Sequence, residues 1–383
     1  MSEVVLNDVC ELIVDCPHST AYDEGTGYPL VRTPNIGRGR IIYSGMHRVC
    51  EEVYNKRNAR AIPQTNDLIF AREATAGNVA LIQEGEKVCL GQRTVLIRPN
   101  ANLVNPAFLT YHLLAPEQQY KLLSTANGAT VAHVNMPTIR NLKLSLPPLA
   151  TQHRIATILS RYDSLIENYQ KQIKLLEEAA QRLYKEWFID LHFPRHENTN
   201  IIDGVPEGWE KKSVDSIYNI KYGKNLSTKL ITETGFYPVY GANGVIGYYD
   251  KANCNEQVVL ITSRGNGSGD VLMTYHKDAF ITNNSFIVTP SEGFEYCKLP
   301  FTFQFLKMAN FRAVRTGAAQ PQLTNQSIHT VDVILPNKNL IEKFCSATIG
   351  MNDTIIKYRE QIRLLTEARD RLLPKLMSGE ITI

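Results

Sequence analysis

The sequence predicts an α+β protein: two similar mixed α/β bodies joined by two long helices that form an antiparallel coiled coil, with a pseudo-two-fold relation between the halves. Three observations predict this. The first is an internal repeat. Leu146-Pro147 returns as Leu335-Pro336, a register of 335 − 146 = 189 residues. At that offset Ile166 meets Ile355, Tyr169 meets Tyr358, and Gln172-Ile173-Lys174-Leu175-Leu176 meets Gln361-Ile362-Arg363-Leu364-Leu365. A self-similar period decides architecture before any local reading does. The second observation is a heptad pattern inside the copied segments, and the third is matching strand-like sequence in the bodies that precede them. The implied boundaries are a first body at 1–147, a central helix at 148–190, a second body at 191–336 and a C-terminal helix at 337–383.

In the first body, Asp67-Leu-Ile-Phe and Thr94-Val-Leu-Ile read as strands bounded by Gly, Asn and Pro. Asn105-Pro106 has the form of a cap and first turn, which predicts a helix running to about Ser124. The second body repeats the plan, with Gln257-Val-Val-Leu-Ile and Ser285-Phe-Ile-Val-Thr-Pro as counterparts of the two strands. A polar join with Gly and Pro, His192 to Trp209, connects the halves.

The copied segments carry a seam in alternating steps of four and three. The central helix gives Ile155, Leu159, Tyr162, Ile166, Tyr169, Ile173, Leu176 and Leu183; the C-terminal helix gives Ile355, Tyr358, Ile362, Leu365 and Leu372. Arg369 interrupts the second seam, with Ala368 beside it to cover the gap. Asn339-x-x-Glu342 predicts the start of that helix as a capping box. Each pattern alone fits an ordinary amphipathic helix, but two matched seams favour pairing with each other.

A chain of 383 residues is too long for one core and suggests two or three domains. No apolar run approaches the roughly 18 residues of a membrane span, and Met1 to Ile13 lacks the pattern of a signal peptide, so the cytoplasm is the expected location. The seven cysteines form no C-x-x-C pair and read as reduced thiols, mostly core. Net charge is only 41 − 38 = +3, but it is unevenly spread. Tyr28 to Arg60 holds seven Lys and Arg against Glu51 and Glu52, and Lys298 to Arg315 holds four with no acid. Such patches suit a partial grip on phosphates, and equally a solvated charged face. Antiparallel pairing would reverse one body relative to the other. A helix of about 37 residues at 1.5 Å rise spans on the order of 55 Å, a size compatible with two readers on duplex half-sites about 34–36 Å apart.

Catalytic signatures are missing. Asn105-Pro106-Ala107-Phe108 imitates a base-flipping loop but sits at the predicted helix start. There is no Walker A motif. Arg264-Gly-Asn-Gly-Ser-Gly-Asp270 is followed by another strand-like run, which fits a hairpin better than a phosphate cradle. The nine histidines show no metal-ligand spacing.

Several local signatures accompany the repeat: Val14-Asp15-Cys16-Pro17-His18, Leu146-Pro147-Pro148-Leu149, Pro206-Glu207-Gly208-Trp209-Glu210 and Thr316-Gly-Ala-Ala-Gln-Pro-Gln-Leu323. Together they make the whole chain resemble the DNA specificity (S) subunits of type I restriction-modification systems. The resemblance implies two target-recognition domains that each read half of a split asymmetric site. It also implies helices that dock two methyltransferase subunits, with restriction/translocase subunits joining that core. The chain would then bind no cofactor and catalyse nothing, while S-adenosylmethionine, ATP and Mg2+ act on the partner subunits. In place of the second copy's Thr-Gly-Ala-Ala-Gln-Pro-Gln the first has Asn127-Gly-Ala-Thr-Val-Ala-His133, so the two junction loops need not act alike.

Residues common to both bodies cannot tell the half-sites apart. Arg72 and Arg264, each followed by a matched glycine (Gly77, Gly269), are therefore candidate phosphate anchors or internal salt-bridge partners. Candidate base readers differ between bodies: Arg32, Asn35, Arg38 and Arg40 in the first, Tyr240 and Asn243 in the second. Gln92-Arg93 against Asn283-Asn284 is a further differing pair. Arg312, Arg315, Gln320 and Gln322 either follow a groove or pack the body on its helix. Two rivals remain at this stage, a specificity subunit of another restriction or phage-defence machine and a coiled-coil scaffold for proteins.

Overall fold

The computed structural model describes residues 2–73, 75–124, 133–317 and 321–383. It divides into two units, Met1–Glu167 with Arg363–Ile383, and Asn168–Ile362. In the first unit the strands are β1 (Ser2–Val5), β2 (Cys10–Asp15), β3 (Tyr28–Val31), β4 (His47–Val49), β5 (Leu68–Ala71), β6 (Val79–Leu81), β7 (Cys89–Leu90), β8 (Thr94–Pro99) and β9 (Lys143–Leu146). The helices are α1 (Glu51–Arg57), α2 (Pro106–Leu114), α3 (Pro116–Ser124), α4 (Met136–Arg140) and the long α5 (Leu149–Phe188). Strands β2-β8-β5-β6 form an antiparallel sheet, β4-β3-β7 a mixed one and β1-β9 a pair. The runs Leu68–Ala71 and Val95–Ile97 of the central strands are apolar without alternation because both faces are covered. Phe70, Val95 and Ile97 join a cluster with α2, whereas Ile69, Ala71 and Leu96 join a cluster with Val31 and Leu90 of the mixed sheet.

The Asn105 cap forms as the sequence implies, its Oδ1 accepting the Phe108 N–H at 2.9 Å. The single helix predicted to Ser124 is instead two. Ala115 is extended (φ −65°, ψ 145°) because the ring of Pro116 disfavours helical backbone in the residue before it.

The second unit repeats this topology. It contains a small ribbon, β10 (Ile201–Ile202) and β11 (Val205–Pro206), and then β12 (Glu210–Ser213), β13 (Tyr218–Tyr222), β14 (Tyr237–Gly241), β15 (Gly244–Tyr249), β16 (Val259–Thr262), β17 (Val271–Met273), β18 (Phe280–Ile281), β19 (Ser285–Pro290) and β20 (Asp332–Leu335). Its helices are α6 (Val214–Ile217), α7 (Leu299–Met308), α8 (Asn325–Ile328) and the long α9 (Lys338–Ser378). The sheet orders β13-β19-β16-β17, β15-β14-β18 and β12-β20 correspond strand for strand to those of the first unit. The burial alternates in the same way, Val259, Ile261 and Phe286 facing one cluster and Leu260 the other.

Each unit holds a stretch of both long helices, and in each they run antiparallel. In the first unit Ile155, Ala156 and Leu159 share a core with Leu373, Leu376 and Met377, while Asp163 meets Arg369. In the second, Tyr169 stacks on Tyr358 at 4.7 Å and Tyr184 meets Phe344 edge-on at 5.7 Å. Of the seam positions, Ile155, Leu159, Ile173 and Ile355 are buried. Tyr162, Ile166, Tyr169, Leu176, Leu183, Tyr358, Ile362, Leu365 and Leu372 are half-buried. Two expectations need correction. Ala368 is exposed and covers nothing; Arg369 itself fills the seam, because Asp163 supplies its counter-charge. Helix α9 is capped by Asn337, whose Oδ1 accepts the Leu340 N–H at 3.0 Å, and Asn339 lies inside the first turn.

Candidate DNA interface

Several predicted readers prove to be structural. Asn35 is 1% exposed; its amide donates to the carbonyls of Ile42 and Ser44, and its Oδ1 accepts the Arg32 N–H. Those bonds leave no edge for a base. Tyr240 is buried, its hydroxyl 2.9 Å from His276 Nδ1 while accepting the Tyr275 N–H. Arg32 donates to the Gly45 carbonyl at 2.8 Å, closing its own loop. Arg40 is half-buried and pairs with Glu167 of α5 at 2.9 Å. Arg38 is exposed and donates to the Leu114 carbonyl at 3.1 Å.

Arg72 and Arg264 have opposite fates, although the sequence aligns them. Arg72 is buried; it pairs with Asp15 at 2.7 Å and donates to the Val134 carbonyl and to His133 Nε2. It is an internal strut and not a phosphate anchor. Backbone hydrogen bonds give the reason. Arg72 N–H donates to Arg93 O and Val134 N–H to Arg72 O; in the second unit Ser263 N–H donates to Asn284 O and Leu323 N–H to Ser263 O. Ser263, not Arg264, therefore occupies the position of Arg72. The glycines do match: Gly77 donates to Ala71 O and Gly269 to Thr262 O, both with left-handed backbone (φ 91° and 85°). The second hairpin loop is thus one residue longer, and a shift of one residue points a strand side chain to the other face. Arg264 is accordingly exposed, with no side-chain partner among the described residues.

The same bonds identify three equivalent pairs around the hairpin mouth: Glu73 with Arg264, Arg93 with Asn284, and His133 with Gln322. In the first unit Glu73 pairs with Arg93 and lies 2.6 Å from His133 Nδ1. Arg72 donates to the other ring nitrogen, so Nδ1 carries the proton that Glu73 accepts. In the second unit Arg264 bridges Gln322 through the backbone, and both side chains are exposed. Asn243, at the β14–β15 turn, adjoins the loop at Gly267. Arg312 donates to Asp270 at 2.6 Å, and Arg315 donates to the carbonyls of Arg312 and Asn266. Asn243, Arg264, Arg312, Arg315 and Gln322 thus gather at one edge. Gln320 lies outside the described residues, as do residues 125–132. Sequence reasoning missed Glu73 and His133, since neither belongs to a basic run and both gain meaning only from the strand register.

Among the described residues no group of three or more His, Cys, Asp and Glu is placed to hold a metal ion, and no helix is long and apolar enough to cross a membrane.

Two bodies of one topology, each with a polar hairpin mouth and each seated on an antiparallel helix pair, define a tandem-domain protein built on a repeated fold. The chain belongs to the family described as type I restriction modification DNA specificity domain, which it matches over residues 1–178 and 206–359. It is 30% identical over 399 residues to a putative type I restriction enzyme MjaX specificity subunit from Methanocaldococcus jannaschii, covering 99% of this chain and 93% of that one. It is 25% identical over 409 residues to the type I restriction enzyme MjaIX specificity subunit of the same organism, with 99% and 93% covered. The crystal structure of the type I restriction-modification S subunit from M. genitalium shares the fold, with a TM-score of 0.58 at 18% identity over 98% of this chain and 95% of that one.

Proposed function

We propose that the chain is the sequence-reading subunit of a type I restriction-modification complex. Each body reads one half of a split, asymmetric duplex target. The paired helices carry both readers and dock two methyltransferase subunits, which the restriction/translocase subunits join. The chain catalyses nothing itself; S-adenosylmethionine, ATP and Mg2+ act on the partner subunits, in the cytoplasm. One observation carries this reading: a single sheet topology occurs twice with unlike side chains around the same hairpin mouth. A repeated fold with unlike edges suits a target whose halves differ. The relatives named as specificity subunits over nearly their whole length support it.

The test is to co-express the chain with the methyltransferase subunit from its own genome and map methylated sites. Exchanging residues 1–147 for another body is expected to change one half-site and leave the other intact. A change in both halves together overturns independent reading.

A further inference from the structure

We propose that base discrimination in each body is carried by three equivalent positions at its hairpin mouth: Glu73, Arg93 and His133 in the first, and Arg264, Asn284 and Gln322 in the second. The proposal rests on the DNA-reading function above and assigns residues to it.

The backbone bonds that frame these positions match in both bodies: the Arg72 and Ser263 amides and carbonyls are paired alike, and Gly77 and Gly269 close loops that differ in length by one residue. The side chains on it differ in charge or chemistry at all three places. Groups that only fold the hairpin have no reason to diverge so, whereas groups that meet different bases must. All six are exposed or half-buried. Arg93 has left-handed backbone (φ 62°) and a side chain 62% exposed, so its guanidinium stands clear of the sheet. Glu73, at 13% exposure, lies beneath and holds both Arg93 and His133. It is a positioning residue, and so is His133, whose two ring nitrogens are taken by Glu73 and Arg72; Arg93 presents the donors. In the second body the charge is inverted at the equivalent position, where Arg264, with no side-chain partner among the described residues, lies directly across from the exposed side chain of Gln322.

A guanidinium fork matches O6 and N7 of guanine, and a carboxamide matches N6 and N7 of adenine. The first half-site therefore contains a guanine read by Arg93. The second contains a guanine read by Arg264 beside an adenine read by Gln322, with Asn284 behind them.

Methylation maps of the intact complex test this. Arg93→Ala, Arg264→Ala and Gln322→Ala are each expected to relax one base position in their own half-site. Methylation at sites with a substituted base there rises about tenfold or more relative to the cognate sites, while the other half-site is unchanged. Glu73→Gln should relax the Arg93 position alone, which a general loss of stability would not do. Uniform loss of methylation with an unchanged motif, in variants whose melting is unchanged, means phosphate contact only and overturns the assignment. Should an alanine variant fail to assemble, Arg264→Met keeps the length of the side chain without any donor; retained guanine selectivity in that variant likewise overturns it. A wild-type complex that methylates no split motif overturns the DNA-reading function itself, an outcome distinct from the others.

Discussion

Arg369 and Asp163 meet at 2.6 Å in the first unit, with side chains only 16% and 9% exposed. The Tyr111 hydroxyl of α2 donates to the second oxygen of the same carboxylate. The carboxylate thus ties α5 to α9 and to the body at one point, and burial beside it pushes the Tyr111 phenol far above its usual range. Removing Asp163 leaves Arg369 only its contact with the exposed Asp370 and leaves the buried Tyr111 hydroxyl without its acceptor. Asp163→Ala is therefore expected to destabilise the first unit by about 3–5 kcal/mol. Asp163→Leu with Arg369→Met should cost less, about 1–3 kcal/mol, since both charges leave together and only the Tyr111 hydroxyl loses its acceptor. Denaturant unfolding followed by circular dichroism measures the difference; equal losses in the single and double variants would refute it.

A second carboxylate–arginine pair looks similar and should behave differently. Glu177 and Arg359 lie 3.0 Å apart in the second unit, and the Arg359 guanidinium sits 3.6 Å over the Tyr275 ring. Here the side chains are 44% and 39% exposed, so water screens the pair. Glu177→Gln is expected to cost less than about 1 kcal/mol. A loss as large as that of Asp163→Ala would show that exposure is not what separates the two pairs.

The repeat, the strands and the antiparallel helices were legible because they depend on periodicity, which a sequence displays directly. Asn105 was legible as a cap for the same reason, since a cap is defined by its immediate neighbours. The reading edge was not. Whether an arginine is a strut or a probe depends on strand register, and a one-residue difference in loop length separates Arg72 from Arg264. Asn35 and Tyr240 failed as readers because distant carbonyl, amide and imidazole groups occupy their polar atoms, and nothing local announces those partners. Arg369 looked like a flaw in the seam because its counter-charge, Asp163, lies on the other long helix, where no local pattern announces it.

The divergence of the two arginines gives a paired prediction. Arg72→Ala strands Asp15 and removes the strut to Val134, so it should lower the stability of the first unit by about 3 kcal/mol. Any change in the motif read by a complex that survives should be confined to the first half-site, because Arg72 also supports His133. Arg264→Ala removes an exposed side chain with no partner among the described residues and should shift stability by less than about 0.5 kcal/mol. Its effect should appear instead in binding to duplex DNA. Melting curves and DNA titrations on both variants decide the matter, and a reversed pattern would return Arg72 to the role of anchor.

His112 sets a pH dependence on the first unit. The ring is buried in α2 and stacks on Phe108 at 5.5 Å. Burial drives its pKa down to about 4 from an ordinary 6.5, with Glu117 opposing and Lys121 adding to the shift. Between these values the unfolded chain holds a proton that the folded chain does not. Stability is therefore full above about pH 6.5 and falls as the pH drops toward 4, by on the order of 3 kcal/mol in total. His112→Leu keeps an apolar side chain at the site and has no proton to take up. The gap between wild-type and variant unfolding free energies should therefore shift in favour of the variant from pH 7 to pH 4.5. A gap that stays constant over that range would mean that the imidazole is protonated as readily in the folded protein as in the unfolded chain.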